Sequence, residues 1–427
     1  MIRTYKNFYI ETYGCQMNFS LSEQLSENLK KRGYNPVFDF KEADIVIINA
    51  CSVREHAENK VFQRINYYNS QKIKRDFKLI VTGCFAQNQK NNIKADMVLG
   101  TYHIKDIPEL IEKNVLTKFD ISMNKYNFME PVPEEGFEFR SMVDITVGCD
   151  NFCTYCIVPY VRGPQISRSS KEILEIIKRL VEKGVVEVTL LGQNVNSYGI
   201  DNKDISFAEL LHKISTETDI KRIKFLTSHP KDFNDDIIDA IFSIDKVSKY
   251  IHLPIQSGSD NILRKMNRKY SVEHYLSIIE KIRNYNKEFS LSTDILIGFP
   301  GESEKDFMET IDIIKQIRYD EAYMFKYSPR PNTASLLFGD TVSEEEKKER
   351  LNYLITVQKN IEKEDIKKHL NRKRRVLVEN ISKKNKREFI GRDELNKTVI
   401  LKEKVQIGNF YDVFIEDVKG VTLIGKI

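Results

Sequence analysis

The chain has 427 residues and a net charge of +5, enough for roughly three domains with large buried cores. It contains no apolar run near the ~20 residues of a membrane-spanning helix, and its charge is too small to identify a nucleic-acid partner by itself. Six cysteines in an otherwise ordinary soluble composition point to metal ligands or catalytic thiols in a reducing compartment, not to a disulfide framework.

The N-terminus passes directly into a strand pattern and lacks the features of a signal peptide, so a cytoplasmic protein is expected. Residues Asn7 to Cys15 form the first expected strand. A helix through Leu21–Arg32 should follow, with Ser20 and Glu23 as its capping box and Gly33 as its stop. Asp44 to Asn49 is a nearly continuous apolar strand ending at Cys51. Ser52 and Glu55 offer a second capping box, and a third strand, Lys78 to Thr82, ends at Cys84. Apolar strands alternating with helices imply a parallel, doubly wound sheet. Parallel strands place Cys15, Cys51 and Cys84 along one carboxyl edge, where ligands of open α/β sheets bind. The three thiols are either scattered core cysteines or a three-ligand metal cluster with one iron left open.

The polar, Pro-containing stretch from Thr117 to Phe139 reads as a linker. Beyond it strands and helices alternate again. Strands are expected at Met142–Val147, Val186–Leu191, Lys221–Thr227, Tyr250–Pro254, Leu291–Ile297 and Ala322–Tyr327, with helices such as Lys171–Lys183, Phe207–Thr216, Val272–Asn284 and Glu304–Ile317 between them. Six such units suggest a partial (β/α)6 barrel with its active site at the C-terminal strand ends. Cys149, Cys153 and Cys156 follow the first of these strands as C-x3-C-x2-C. Zinc sites prefer paired C-x2-C hooks, and no second hook follows. A full iron–sulfur cluster takes four thiolates, so three leave one iron free for a substrate. Other strand ends supply Gln193, Ser228, Gln256, Ser257 and, within the fifth strand, Asp294 as candidate polar contacts. Polar residues after strands are also common turn formers.

A long charged helix is expected from Ser343 to Leu370, packed by Leu351, Leu354, Ile355 and Ile361. Five short strand patterns then fit a small β-barrel of OB type. Ten basic residues against one acid, Glu379, fall between Lys367 and Arg387, and Arg372, Lys373, Arg374 and Arg375 are the densest part. Such a run is a solvated face or an RNA contact.

Several of these strings resemble the radical S-adenosylmethionine (SAM) methylthiotransferase family. C-x3-C-x2-C with Tyr155 before its last cysteine is similar to the radical SAM signature. T-Y-G-C-Q-M-N (Thr12–Asn18), N-A-C-S-V-R-E-H-A (Asn49–Ala57) and T-G-C-F-A-Q (Thr82–Gln87) resemble the family's N-terminal domain. The C-terminal segment resembles a TRAM domain. C-Q-M-N, G-Q-N-V-N-S-Y-G (Gly192–Gly199), H-L-P-I-Q-S-G-S (His252–Ser259) and R-K-M-N-R-K-Y (Arg264–Tyr270) look like the branch acting on N6-isopentenyladenosine. P-R-P-N-T-A-S (Pro329–Ser335) departs from that branch's usual Gly-Thr-Pro-Ala.

The resemblance implies two 4Fe-4S clusters. One, on Cys149, Cys153 and Cys156, would chelate and cleave SAM; the other, on Cys15, Cys51 and Cys84, would carry the sulfur to be inserted. Two SAM molecules per turnover would supply a methyl group and a radical. Tyr155, Gln193, Ser228, Gln256, Ser257 and Asp294 would face SAM, and the Arg372–Arg375 run would face tRNA. The implied reaction converts N6-isopentenyladenosine at position 37, in the tRNA anticodon loop, to its 2-methylthio form. A loop base is open to being splayed out and stacked on aromatic side chains. The expected organisation is an N-terminal domain over 1–120, a linker over 121–140, a radical SAM barrel over 141–370 and a TRAM barrel over 371–427, in a monomer. The sulfur donor and the reductant are left open. Two other readings stay in view: the same chemistry on threonylcarbamoyl-adenosine or on a ribosomal-protein aspartate, and a non-catalytic iron–sulfur RNA-binding redox sensor.

Overall fold

A computed structural model describes residues 6–52, 55–119, 126–285, 287–383 and 385–427. The N-terminal unit opens with β1 (Asn7–Tyr13), α1 (Gln16–Lys31), β2 (Asn35–Pro36), β3 (Ile45–Ala50) and α2 (Glu55–Gln71). It continues with β4 (Lys78–Thr82), α3 (Cys84–Gln89), β5 (Met97–Leu99), α4 (Ile107–Glu112) and β6 (Thr117–Lys118). These six strands form one sheet in the order β2-β1-β3-β4-β5-β6, and every pair is parallel. Strand β3 shows why both faces are covered. Its Ile45 and Ile47 pack with Leu21, Leu25 and Leu29 of α1, while Val46 and Ile48 pack with Val61, Ile65 and Tyr68 of α2. Alternate residues thus enter two cores, as in a doubly wound sheet.

Helix α1 begins earlier than the expected Ser20 cap. Cys15 is its N-cap residue, and Ser20 is buried one turn inside, where it bonds to Asp144 (3.4 Å) and receives Gln24 (2.7 Å). The apolar stripe Met17, Leu21, Leu25 and Leu29 fixes the helix face from its first turn. The expected Ser52–Glu55 box spans residues 53 and 54, which lie outside the described residues. The Ser52 hydroxyl donates to the Glu58 carboxylate.

The stretch expected as a linker contributes to both neighbouring sheets. Thr117–Lys118 pairs with β5. Strand β7 (Pro133–Glu134) forms a hairpin with β8 (Phe137–Asp144), the first barrel strand. Next come β9 (Thr146–Val147), α5 (Val158–Arg162), β10 (Ile166–Ser167), α6 (Ser170–Glu182), β11 (Glu187–Leu191), α7 (Phe207–Glu217), β12 (Arg222–Phe225) and α8 (Asp235–Ser243). Strand β13 (Tyr250–His252), α9 (Asp260–Lys265), α10 (Val272–Asn284), β14 (Ser290–Ile297), α11 (Glu304–Ile317), β15 (Glu321–Lys326) and α12 (Glu344–Asp365) complete the unit. Strands β8, β11 and β12 form one parallel run and β13, β14 and β15 another. Between the runs the ladder thins to a single bridge, Ile223 to Val247. This is the expected partial (β/α)6 barrel. The inner face of α12 is more polar than expected: Leu354 and Ile361 reach the core, but Lys347, Arg350 and Gln358 are buried beside them.

Strands β16 (Lys373–Ile381), β17 (Phe389–Arg392), β18 (Thr398–Leu401), β19 (Phe410–Lys419) and β20 (Thr422–Lys426) close a small barrel in the order β16-β17-β18-β20-β19. It docks on the N-terminal mouth of the larger barrel. Arg222, at the start of β12, donates to the carbonyls of Arg375 (2.6 Å), Arg392 (3.0 Å) and Asp393 (3.3 Å). Among the described residues, no helix is long and apolar enough to cross a membrane.

Candidate active site: two cysteine trios and a shared cavity

All six cysteines are free thiols at C-terminal strand ends. In the N-terminal unit, each of β1, β3 and β4 runs into a tight turn that delivers one of them. Gly14 has φ +127°, and a Cβ there would lie 2.2 Å from the Cys51 Cβ. Gly83 has φ +91°, and its Cβ would lie 2.6 Å from the Ala50 carbonyl. Only glycine suits such crowded left-handed turns. Cys51 interacts electrostatically with both Cys15 and Cys84, so the three thiols are neighbours at one sheet edge. The neighbouring Cys51 thiol, then Arg162 and backbone amides, hold the Cys15 thiol down to about 5. Cys84 is held to about 7 by Cys51 and Arg162 against burial. Cys51 is driven upward by its two thiol partners and by burial.

The second trio lies on the loop after β9. Gly148 has φ +79°, a Cβ there would lie 2.0 Å from the Pro164 carbonyl, and its amide donates to Gln193 Oε1 (2.6 Å). The end of α9 and the turn after it clasp the loop. Thr154 Oγ1 donates to the Lys265 carbonyl (2.9 Å), and Asn267 Nδ2 donates to the Phe152 carbonyl (2.9 Å). Burial raises the Cys149 thiol, and burial followed by Cys153 pushes Cys156 up to about 12.

Each trio also receives one buried guanidinium. Arg162 Nε donates to Cys84 Sγ (3.1 Å), and an Arg268 Nη donates to Cys153 Sγ (3.3 Å). Arg162 is 3 % exposed and Arg268 8 %. Among the described residues, neither has a carboxylate within ion-pair distance. A buried cation without an anion costs several kcal/mol. Each trio therefore lies where negative charge is needed. Three thiolates around a cluster would supply it, so this donor set fits a cysteine-ligated cluster. Among the described residues, no three side chains close around a single metal ion. A four-iron cluster, whose cysteines bind separate irons, demands a wider set.

A cavity of ≈ 640 Å³ touches the surroundings of both trios. Ser52, next to Cys51, lines it from one side and Cys156 from the other; Cys84 itself packs on Ile157 and Val161. Tyr155, Gln256 and Asp294 line the cavity, beside Leu296, Met324, Phe325 and Leu351. Gln256 sits at φ +70° and Thr227 at φ +73°, sparsely populated conformations for such residues, of the kind that cluster at ligand sites. Ser228 is buried, and its Oγ, His229 Nε2 and Asn196 Nδ2 lack partners among the described residues. Burial, then Arg268 and Lys231, hold His229 down to about 2, so its imidazole is neutral.

Three expectations change. Gln193 holds the cysteine loop through Gly148. Ser257 is turned into the packing against α11, beside the Thr310 hydroxyl (3.4 Å) and accepting from the Ser259 amide (3.2 Å). Arg374, expected on the RNA face, is buried: it pairs with Glu288 and donates to His369 Nδ1 (3.0 Å). Arg372, Lys373 and Arg375 stay exposed. The two trio arginines carried no role in the sequence reading, although Arg268 lies in the string R-K-M-N-R-K-Y and Arg162 follows Cys156 by six residues.

Three segments match known families: residues 143–314 the Radical SAM superfamily, 7–100 the Uncharacterized protein family UPF0004, and 367–427 the TRAM domain. Full-length relatives are bacterial proteins named tRNA-2-methylthio-N(6)-dimethylallyladenosine synthase. That of Thermoanaerobacter pseudethanolicus is 42% identical, covering 99% of this chain and 93% of its own. That of Clostridium botulinum (strain Langeland) is 42% identical, covering 100% and 98%. The Parabacteroides distasonis protein is 40% identical, covering 99% and 95%. Among solved structures, the radical SAM methyltransferase TsrM from Kitasatospora setae shares the fold at 12% identity, with a TM-score of 0.54 over 78% of this chain and 77% of that one. With identity sustained through all three segments, the chain belongs to the radical SAM methylthiotransferase family, in its tRNA-2-methylthio-N6-dimethylallyladenosine synthase branch.

Proposed function

We propose that the chain converts N6-isopentenyladenosine in the tRNA anticodon loop to its 2-methylthio derivative. Cys149, Cys153 and Cys156 hold one 4Fe-4S cluster, Cys15, Cys51 and Cys84 hold a second, and two SAM molecules are used per turnover. The observation that carries this reading is the single cavity reaching from Cys156 to the neighbour of Cys51. Carbon 2 of adenine bears an unactivated C–H bond, beyond ordinary acid–base catalysis, so the hard step belongs to a cofactor. SAM and the clusters, when bound, supply radical chemistry, the methyl group and the sulfur.

The chain's own residues orient and shield. Tyr155, Gln256 and Asp294 face the cavity from the barrel, and Ser228, past the end of β12, keeps a buried hydroxyl without a partner among the described residues. Leu296, Met324, Phe325 and Leu351 form an apolar wall suited to an isopentenyl group and to excluding water. A threonylcarbamoyl substituent would leave polar atoms unpaired against that wall. Arg372, Lys373 and Arg375 contact RNA phosphates. They begin at the N-terminal mouth of the barrel, about 25 Å from the cysteine end at ~3.3 Å per residue of β14. A stem-loop laid along the flank would span that distance.

Nucleoside mass spectrometry tests the reading. Anaerobically reconstituted protein is given SAM, sulfide, a strong reductant and tRNA carrying isopentenyladenosine. A nucleoside with one added methylthio group is expected. Unmodified tRNA with continued SAM cleavage would overturn the substrate assignment, and absence of 5′-deoxyadenosine would overturn the enzyme.

A further inference from the structure

Arg162 belongs to the barrel by sequence and to the N-terminal trio by contact. It ends α5, six residues beyond Cys156, yet its Nε donates to Cys84 Sγ (3.1 Å) and an Nη donates to Asn18 Oδ1 (2.9 Å). Asn18 is in turn the acceptor facing the Cys15 thiol (3.9 Å) and donates to the Tyr13 carbonyl (3.2 Å). The guanidinium is therefore tied to two of the three cysteine turns.

The backbone of Arg162 is fixed by the same unit. Tyr102 donates its hydroxyl to the Arg162 carbonyl (2.8 Å), and Thr101 donates to the Val161 carbonyl (2.6 Å). Ile157 and Val161 pack on Cys84. The short helix between the last barrel cysteine and Arg162 is thus held against the N-terminal unit through both its backbone and its guanidinium. Among the described residues, the N-terminal sheet contributes no buried cation at this edge, and the guanidinium beside Cys84 arrives from the other domain.

We propose that Arg162 is a positioning residue that supplies, across the domain interface, the positive charge balancing the cluster on Cys15, Cys51 and Cys84, and thereby raises that cluster's reduction potential. A fixed cation stabilises the more negative, reduced state of a nearby cluster, and hydrogen bonds to cluster sulfurs act in the same direction. Arg268, aimed at Cys153, serves the barrel trio in parallel, so each cluster has its own cation. The N-terminal site is electrostatically complete only when the barrel loop is in place.

The proposal rests on the N-terminal trio holding a cluster, and the experiment separates the two. Full-length protein is reconstituted, its iron counted, and its clusters titrated by EPR against potential. The chain lacking Cys149, Cys153 and Cys156 identifies the N-terminal signal. If wild-type protein holds one cluster and Cys15→Ala leaves its iron unchanged, the two-cluster reading itself falls, and this proposal with it. With both clusters present, Arg162→Gln is expected to favour the oxidised N-terminal cluster at least tenfold, a fall of 59 mV for one electron. Arg162→Lys, which keeps the charge, should return most of that fall, and the barrel cluster should stay at its wild-type potential. An unchanged N-terminal potential in Arg162→Gln would overturn the proposal, as would an equal shift in both clusters. Should Arg162→Gln lose the N-terminal iron altogether, Arg162→Lys decides. Retained iron at near-wild-type potential supports the charge; loss of iron there as well makes the guanidinium a packing element and overturns it.

Discussion

Some single residues are held in their charged form by hydrogen bonds that outweigh burial, and Asp306 is the clearest case. Its carboxylate accepts from Ser259 Oγ (2.5 Å), Ser303 Oγ (2.6 Å) and the Ser303 amide (2.9 Å). It closes the capping box of α11 and pins the Gly258–Ser259 turn that follows Gln256. Burial alone would raise its pKa; the bonds from Ser259, Ser303 and Asn261 outweigh burial and hold it down to about 2. A depressed carboxylate pKa contributes stability that is full above the unfolded value near 4 and is lost as pH falls toward 2. Asp306→Asn should therefore cost about 2 kcal/mol at pH 7. The gap between variant and wild type should narrow steadily below pH 4. Thermal melts of the metal-free protein at a series of pH values would show this, and a gap constant with pH would mean that the charge is irrelevant.

At the scale of elements, the site is made by turns rather than by strands or helices. The strand–turn–helix units ending β1 and β4 need a glycine at the turn, and Gly14 meets the steepest constraint, with Cys51 against the space a side chain would occupy. Gly14→Ala should displace Cys15 relative to Cys51, halve the iron held after reconstitution and abolish product. SAM cleavage, which rests on the barrel trio, should persist. Full iron in that variant would remove the turn from the argument. These units were legible in the sequence because apolar strands, cysteines and glycines recur in one order. The boundaries of α10 and α11 were legible too, because Ser271 and Ser303 cap them and the apolar spacing is regular. What was not legible depends on distance through space. Ser20 has a capping residue's spacing, but Asp144, 124 residues away, uses it inside the helix. Arg374 sits in a basic run, but the alternation of β16 turns it toward Glu288, Asp393 and His369. Arg162 and Arg268 have no local pattern that distinguishes them from surface arginines; only the fold brings them to the thiols.

At the scale of the whole molecule, the two ends of the large barrel have separate tasks: the cysteine end faces the N-terminal unit, and the other end carries the small barrel. The second junction depends on Arg222, which is buried, caps three carbonyls of the small barrel, lies 3.6 Å from Glu187 and stacks over Phe410 at 4.7 Å. Lys224 adds a bond to Asn396 (2.9 Å), and Ser248 donates to the Glu394 carbonyl (2.6 Å). Truncating Arg222 leaves the buried Glu187 carboxylate with Lys224 alone (3.9 Å) and several carbonyls unpaired, a loss of about 3 kcal/mol. Its effect should fall on docking. Arg222→Ala is expected to expose the segment before β16 to limited proteolysis and to weaken tRNA binding, while SAM cleavage without tRNA stays at the wild-type rate. Lys373→Ala makes the contrasting case, because Lys373 is exposed at the start of β16 and removing it disturbs no packing. That variant should resist protease as wild type does, weaken tRNA binding to a similar extent for different tRNAs, and reduce the slope of log affinity against log salt by about 1. If Lys373→Ala leaves the slope unchanged while Arg222→Ala still loses tRNA, the small barrel acts by shaping the mouth of the large one, and the RNA phosphates lie elsewhere on its surface.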